Sequence, residues 1–376
     1  MKYYIIAGEA SGDMHAAHLI RSLKKKDPQT VVRGWGGDRM MDVGIEIVKH
    51  YRDLAFMGFV EILMNIRTIA KNISFCKQDI LSFQPDVLIL VDYPGFNLRI
   101  ADFAHKQGIK VVYYISPQVW AWKKSRVHKI KKVVDRMLVI LPFEKEFYAK
   151  YGIDVAFVGH PLLDELKEHP KTEKAEFIEN NSLEDKPIIA LLPGSRKQEI
   201  NKMLHIMLQV VSDYPDYQFV IGGLSSVPHD FYKRFVGQIN CSVVYDQMGS
   251  LLQHAEAALV TSGTATLETA LMEVPEVVCY KANPVSVAIA RKIINVHYIS
   301  LVNLIMEREI VRELIQKDLN RNKLSHELGL LLRDTQKRKQ LQADYQLLKE
   351  KLGTEGASER AAGLIVNLMQ EQEPNL

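Results

Sequence analysis

The feature that most constrains the fold is an alternation that runs, stops and starts again. Short apolar runs rich in β-branched residues recur at Tyr3–Ala7, Val31–Trp35, Asp86–Val91, Lys110–Tyr114, Arg136–Ile140 and Val155–Val158, with helical patterns between them. Such runs suit a parallel sheet covered by helices on both faces. A polar stretch, Lys167 to Lys186, interrupts the series and reads as a linker. The pattern then restarts at Ile188–Leu192, Gln218–Ile221, Ser242–Val244, Ala257–Val260 and Glu276–Cys279. The expected fold is α/β: two Rossmann-like doubly wound domains and a charged, helical C-terminal segment from about Asn320 to Asn375. The expected spans are 1–165 for the first domain, 166–186 for the linker and 187–345 for the second domain. A last helix, 346–376, has the option of packing back on the first domain. A chain of 376 residues holds two cores, taking roughly 150 residues per domain.

Composition narrows the class. Apolar residues make up 47% and charged residues 25% of the chain, as in ordinary globular proteins. A net charge of +3 is too mild to imply nucleic acid. The cysteines, Cys76, Cys241 and Cys279, are odd in number and widely spaced, which fits neither a disulfide framework nor a zinc site and suits a reducing cytosol. The sequence opens on a strand rather than a signal peptide, and no window approaches the roughly 18 apolar residues of a membrane span. Contact with a membrane is therefore expected only from its surface.

Two loops carry most of the chemistry. Pro193-Gly194-Ser195-Arg196 follows one strand, and Thr261-Ser262-Gly263-Thr264-Ala265-Thr266-Leu267-Glu268 follows another. Each is a strand entering a small, hydroxyl-rich turn that opens a helix, where unpaired N–H groups and the helix dipole attract anions. Two such termini, one with an arginine and one with a carboxylate a turn inside, suit a nucleoside diphosphate. Arg196 would take phosphate oxygens, and Glu268 would accept from ribose hydroxyls. The plainer reading is that strand–turn–helix joints are how α/β proteins are built. In the first half, Ala7-Gly8-Glu9-Ala10-Ser11-Gly12-Asp13 is neither a Walker A loop nor a GxGxxG dinucleotide fingerprint, which removes the main support for a dehydrogenase.

Further motifs narrow the reading: Val91-Asp92-Tyr93-Pro94-Gly95-Phe96-Asn97, Ser116-Pro117-Gln118-Val119-Trp120-Ala121-Trp122 and Val158-Gly159-His160-Pro161. In this order, and with the two loops above, the chain resembles the lipid-A-disaccharide synthase family from residue 5 to about residue 316. The resemblance implies a GT-B, inverting, metal-independent glycosyltransferase with no cofactor. Its substrates would be UDP-2,3-diacylglucosamine and 2,3-diacylglucosamine 1-phosphate, and its products UDP and the acylated disaccharide phosphate. It would work at the cytoplasmic face of the inner membrane as a peripheral protein, with a homodimer left open. No Asp-x-Asp follows a strand here, so helix termini and Arg196 would have to stabilise the departing diphosphate.

The resemblance makes Asp92 the favoured general base, at the carboxyl end of an apolar strand. The alternative is a cap for a helix over Phe96–His105. By resemblance the loop holding Glu9, Ser11 and Asp13 lines a sugar site. Ser11 or Asp13 could equally cap a helix beginning near Met14; capping is favoured for Asp13 and the ligand for Glu9. His15 and His18 lie about one helical turn apart with no further metal ligand nearby. His160 would touch the ligand or shape a hinge. Gln118, Trp120 and Trp122, followed by Lys123, Lys124 and Arg126, could face a phosphorylated lipid, though tryptophans are usually core. By resemblance Asn303, Glu309 and Gln316 belong to a uracil- and sugar-binding segment. Val302, Met306-Glu307 and Arg312 depart from the family's pattern there.

From Met57 to about Leu81, apolar residues including Phe59, Ile62, Leu63, Ile66, Ile69 and Ile73 recur at helical spacing, and Met64 widens the stripe. A helix buried in the first core would give this pattern, and so would one resting on a bilayer with a basic margin. Two rival functions remain on the sequence alone: a UDP-sugar epimerase of the same architecture, and a non-catalytic lipid-binding protein.

Overall fold

The computed structural model describes residues 1–54, 66–120, 125–237, 239–282 and 297–370. The chain forms two compact units, one of Met1–Asp164 with Leu352–Leu376 and one of Glu165–Lys351. Each is built on a parallel sheet.

The first sheet has seven strands: β1 (Lys2–Ala7), β2 (Val31–Gly36), β3 (Glu46–His50), β4 (Val87–Val91), β5 (Lys110–Tyr114), β6 (Arg136–Val139) and β7 (Val155–Phe157). Their order is β3-β2-β1-β4-β5-β6-β7, all parallel. The chain leaves β1 in one direction across the sheet and leaves β4 in the other. Right-handed crossovers then place the connecting helices on opposite faces. This explains why β1, β4 and β5 are apolar at nearly every position, with Tyr3, Tyr4, Ile5 and Ile6 wholly buried. The helix Ala357–Gln370 belongs to this unit and packs against the helix Ala10–Lys26, burying Ala361, Ala362 and Ile365.

The second sheet has six strands: β8 (Ile188–Leu192), β9 (Gln218–Gly223), β10 (Cys241–Tyr245), β11 (Ala255–Thr261), β12 (Glu276–Tyr280) and β13 (Arg312–Ile315). Their order is β10-β9-β8-β11-β12-β13, again parallel, and the chain reverses direction between β8 and β11. The two-sheet α/β architecture is the one the alternation of apolar runs predicts.

Four details differ from the sequence reading. Strands β3 and β13 were not expected. Both are sheet edges with charged residues in short runs (Glu-Ile-Val-Lys-His and Arg-Glu-Leu-Ile), so neither carries the apolar signature of an interior strand. The stretch read as a linker contains the helix Lys174–Asn180, whose Phe177 is buried in the second core. One apolar side chain per turn suffices for that packing and leaves the segment polar overall. The expected boundary at residue 345 falls inside the helix Thr335–Lys351, where Leu341, Tyr345 and Leu348 line one buried face.

The fourth concerns Asp13. The first helix starts at Ala10, with Glu9 in the cap position and no side-chain cap bond, so Ser11 and Asp13 lie in its first turn. Ser11 is exposed. Asp13 caps a different helix: its Oδ1 accepts from the N–H of Gly37 (2.6 Å) and Met40 (3.2 Å), and its Oδ2 from Arg39 (3.0 Å). These groups open the helix Asp38–Asp42. Burial raises the carboxyl's pKa, against the pull of the three donors.

Asp13→Ala strands those donors in a mostly buried place and should lower stability by about 2 kcal/mol or more. Asp13→Asn keeps one acceptor oxygen and should cost less. Chemical unfolding midpoints of the two variants check the order; equal and negligible losses would show that Asp13 does not hold this turn.

Candidate active site

In open parallel sheets, ligands bind beyond the carboxyl ends of the strands where the strand order reverses. In the first sheet that point lies between β1 and β4, and it is where Glu9 and Asp92 stand. Asp92 follows β4 directly and precedes the helix Pro94–Lys106, whose proline at the start has a pre-set φ and no N–H to lose. Asp92 and Tyr93 both have left-handed backbones, with φ of 44° and 47°. Tyr93 occupies the helix cap position and makes no side-chain cap bond. The Tyr93 ring lies over Gly8, where an added Cβ would come within 2.4 Å of it. The β1 loop can therefore approach β4 only because position 8 lacks a side chain.

The Asp92 carboxyl is half-buried at this point. Burial pushes its pKa up to about 7, and the nearby charge of Glu9 adds to the rise; the Tyr93 N–H opposes it. A helix N-terminus favours a carboxylate, but loss of solvent and the like charge outweigh it here. The result is a carboxyl that gains and loses its proton near neutrality.

The other expected residues of this unit are distributed unevenly. Gln118 is exposed beyond β5. Trp120, expected to face a lipid, is instead 8% exposed and packs edge-on against Phe143 with ring centroids 4.9 Å apart. It is core, because the loop after β5 folds back over the helix Pro142–Ala149. Trp122, Phe59, Ile62, Leu63 and Met64 lie outside the described residues, and Ile66 opens the described helix Ile66–Phe83. In that helix Cys76 and Ile80 are buried in the first core with Ile73 packed against them, while Phe75 and Leu81 are exposed, so one face of its later turns looks inward. His160 is enclosed and its Nδ1 accepts from the Leu162 N–H at 3.2 Å. Burial lowers its pKa to about 3 and that of the neighbouring His15 to about 4, with each helped by an adjacent histidine, so both rings are neutral near pH 7.

In the second sheet the reversal lies between β8 and β11, and the loops after these strands are the two singled out in the sequence. Gly194 has φ of 108°, a conformation that favours glycine. The turn it makes brings Ser195 and Arg196 to the start of the helix Lys197–Met207. Arg196 is exposed and bonds Glu199 Oε1 at 3.3 Å. After β11, Gly263 holds the cap position of the helix Thr264–Leu271, with open space where a Cβ would stand. The Thr266 N–H turns back onto the Gly263 carbonyl at 3.2 Å, and the N–H groups ahead of it in each helix have no acceptor one turn earlier. Ser262 donates to Ile299 O at 2.9 Å, Thr264 is exposed and Ala265 half-buried. Glu268 is 6% exposed, and burial pushes its pKa up to about 8, with Glu165 adding to the rise.

Two expected nucleotide contacts are not available. Thr266 is fully enclosed, and its hydroxyl donates to Gly263 O at 2.9 Å, closing the turn rather than facing a ligand. Asn303 is also fully enclosed. Its Nδ2 donates to Val311 O (2.8 Å) and Glu313 Oε1 (2.9 Å), and its Oδ1 accepts from Ile310 (2.7 Å) and Val311 (3.0 Å). All its bonding capacity is spent bracing the helix Leu301–Met306 against β13. Glu309 pairs with Arg312, and Gln316 donates to Ala282 O at 3.3 Å. Among the described residues, no group of three or more His, Cys, Asp or Glu side chains is placed to hold a metal ion, and no helix is long and apolar enough to cross a membrane.

The sequence reading overlooked residues behind Asp92. Tyr113 and Asn97, both wholly buried, bond the Asp92 carbonyl. Asn97 sits within the motif Val91–Asn97. An asparagine just inside a helix that opens with Pro-Gly was the available signal.

A family model described as lipid-A-disaccharide synthetase matches residues 3–366. The lipid-A-disaccharide synthase of Geobacter sulfurreducens is 39% identical over 98% of this chain and 97% of its own length. That of Coxiella burnetii is 38% identical over 97% of this chain and 98% of its own. Among solved structures, a putative UDP-N-acetylglucosamine 2-epimerase from Listeria monocytogenes superposes with a TM-score of 0.68 at 16% identity, covering 99% of this chain and 97% of that one. The calicheamicin glycosyltransferase CalG4 gives 0.63 at 15% identity over 99% of both chains. At these identities the structural likenesses speak for the GT-B fold alone. The family model and the sequence relatives go further: this chain belongs to the lipid-A-disaccharide synthase family.

Proposed function

We propose that Asp92 is the base of this hexosyltransferase and that the loops after β8 and β11 hold the diphosphate of its donor. The donor is UDP-2,3-diacylglucosamine and the acceptor 2,3-diacylglucosamine 1-phosphate. The observation that carries the reading is the half-buried Asp92 carboxyl at the reversal point of the first sheet, pushed up to about 7 beside Glu9. As an acceptor hydroxyl attacks C1 of the donor sugar, Asp92 takes its proton. The C1–O bond to the diphosphate breaks, its electron pair stays with the leaving oxygen, and the configuration at C1 inverts. A base of pKa near 7 suits this step, being ionised in part at neutral pH yet basic enough to pull.

The second unit supplies the leaving-group stabilisation. The helix N-termini after Arg196 and Gly263 point N–H groups and dipole at the phosphates, and the exposed Arg196 adds a full charge. No cation is required in this scheme. Glu268, buried a turn below Gly263, is the partner for the ribose hydroxyls. Ser195, Ser262, Thr264 and Ala265 line the same turns. Ser11, exposed beside Glu9, and Gln118 stand on the acceptor's side of the chemistry. The acyl chains of both substrates come from a bilayer, so peripheral association with the cytoplasmic face of the inner membrane, through the segment around Phe59 to Ile66, completes the proposal. The fold shared with epimerases lends no weight to that activity here.

Asp92→Asn should lower turnover roughly 100- to 10,000-fold while both substrates still bind. A cap would tolerate the change, asparagine being as good a cap as aspartate. Near-normal release of UDP in a coupled assay would return the search to Glu9.

The pH dependence has a definite sign. Because the Asp92 pKa is raised to about 7, the base is protonated and idle below that pH. kcat/KM should therefore climb through a midpoint near 7. A midpoint near 4, that of an ordinary carboxyl, would contradict the role.

Arg196→Ala should weaken UDP binding by about 10- to 100-fold, since a charge-assisted contact contributes roughly 1.5–3 kcal/mol. The side chain is half exposed at the start of the helix Lys197–Met207, and a thermal midpoint measured alongside separates lost binding from lost folding. Unchanged affinity by calorimetric titration would mean that this loop does not hold phosphate.

A further inference from the structure

The backbone of Asp92 is gripped from one neighbouring strand at both of its polar groups. Its N–H donates to Ile115 O at 3.3 Å, and its carbonyl accepts from the Tyr113 hydroxyl at 2.5 Å. Tyr113 ends β5 with Tyr114, and Ile115 is the first residue of the turn beyond. A second donor, Asn97 Nδ2, reaches the same carbonyl at 2.8 Å and Val91 O at 3.2 Å. Both donors are wholly buried.

This grip holds an unfavourable conformation. Asp92 and Tyr93 are consecutive non-glycine residues with positive φ, and Ile115 itself has φ of 65°, unusual for a β-branched residue. Such backbones are sparsely populated and persist only where their surroundings over-determine them. Here two strained turns brace each other across adjacent strand ends. The Gly8 contact with the Tyr93 ring closes the remaining side.

We infer that Tyr113 and Asn97 are positioning residues for the transfer reaction, fixing the Asp92 carboxyl at the strand end by holding its carbonyl. The inference rests on the reading of Asp92 as the base. Burial and the charge of Asp92 push the Tyr113 phenol well above its ordinary range, so it stays protonated and remains a donor throughout the working pH. With the hydroxyl gone, the turn can relax toward right-handed backbone and carry the carboxyl outward, where solvent is more abundant. A base displaced by about 1 Å can lose on the order of 100-fold in rate.

The test is Tyr113→Phe, which keeps the ring in the core and removes only the hydroxyl, with Asn97→Ala as an independent removal of the second donor. Tyr114→Phe, which removes a buried hydroxyl from the opposite face of the same strand, serves as control. For each, kcat, KM, UDP affinity, thermal midpoint and the pH dependence of kcat/KM are measured. Tyr113→Phe and Asn97→Ala should lower kcat roughly 10- to 100-fold with KM and UDP affinity little changed. The midpoint of the acid limb should fall below about 7, because a displaced carboxyl is better solvated. Tyr114→Phe should retain full rate and profile. Full kcat with an unmoved acid limb in whichever donor variant folds would overturn the inference. So would a loss shared by Tyr114→Phe that tracks the thermal midpoint. Normal turnover by Asp92→Asn would instead bring down the reading of the base itself, an outcome that none of the Tyr113 measurements mimics.

Discussion

The placing of every candidate site residue in this chain depends on one constraint, the common polarity of the strands in each sheet. Because all described strand pairs are parallel, the helices that follow β1, β4, β8 and β11 begin at the same, carboxyl end of their own sheet's strands. Their unpaired N–H groups are gathered where the strand order reverses. Neither sheet needs a deep cavity to be chemically distinct at that end. In the first sheet that end carries two acids, Glu9 and Asp92; in the second it carries an arginine, small turn residues and a sunken acid, Glu268. On the reading proposed above, the first takes a proton and the second holds a diphosphate.

Solvent exclusion turns ordinary carboxyls into useful ones here. Asp92, Glu144 and Glu268 all have pKa values raised mainly by burial, to about 7, 7 and 8. A carboxyl so placed carries a stability cost when ionised, and proteins tolerate it where function gains from it. Glu144 shows that the inference does not run backwards. Its carboxylate accepts from the Leu141 N–H at 3.1 Å while its own N–H bonds the Leu141 carbonyl, holding the start of the helix Pro142–Ala149, a structural use of a similarly perturbed group.

How far the sequence could be read depends on the range of the signal. Interior strands were legible because burial on both faces demands unbroken apolar runs. The edge strands β3 and β13 were not, because one open side admits Lys49, Glu46 and Arg312. Loop motifs adjacent to strands placed Asp92, Arg196, Gly263 and Glu268 at the two reversal points, as local turn chemistry allows. What failed was long range. Asp13 looked like a cap for its own helix, but its acceptors meet N–H groups from residues 37 to 40. Trp120 needed Phe143 to declare it core, and Asn303 needed residues 310 to 313 to absorb its amide. A side chain's type states what it can bond, and only the fold states what it has already bonded.

The discontinuous first unit has a consequence for how the protein is made. A ribosome releases residues from the N-terminus, and domains usually complete themselves in that order. Here the unit begun first is finished last, because the helix Ala357–Gln370 that covers the helix Ala10–Lys26 is synthesised after the whole of the second unit. Until that helix emerges, the face of the first helix it will cover has no permanent neighbour. Nascent chains are thus carried through most of translation with an apolar surface open to chaperones, and truncation near residue 350 would strand it there permanently.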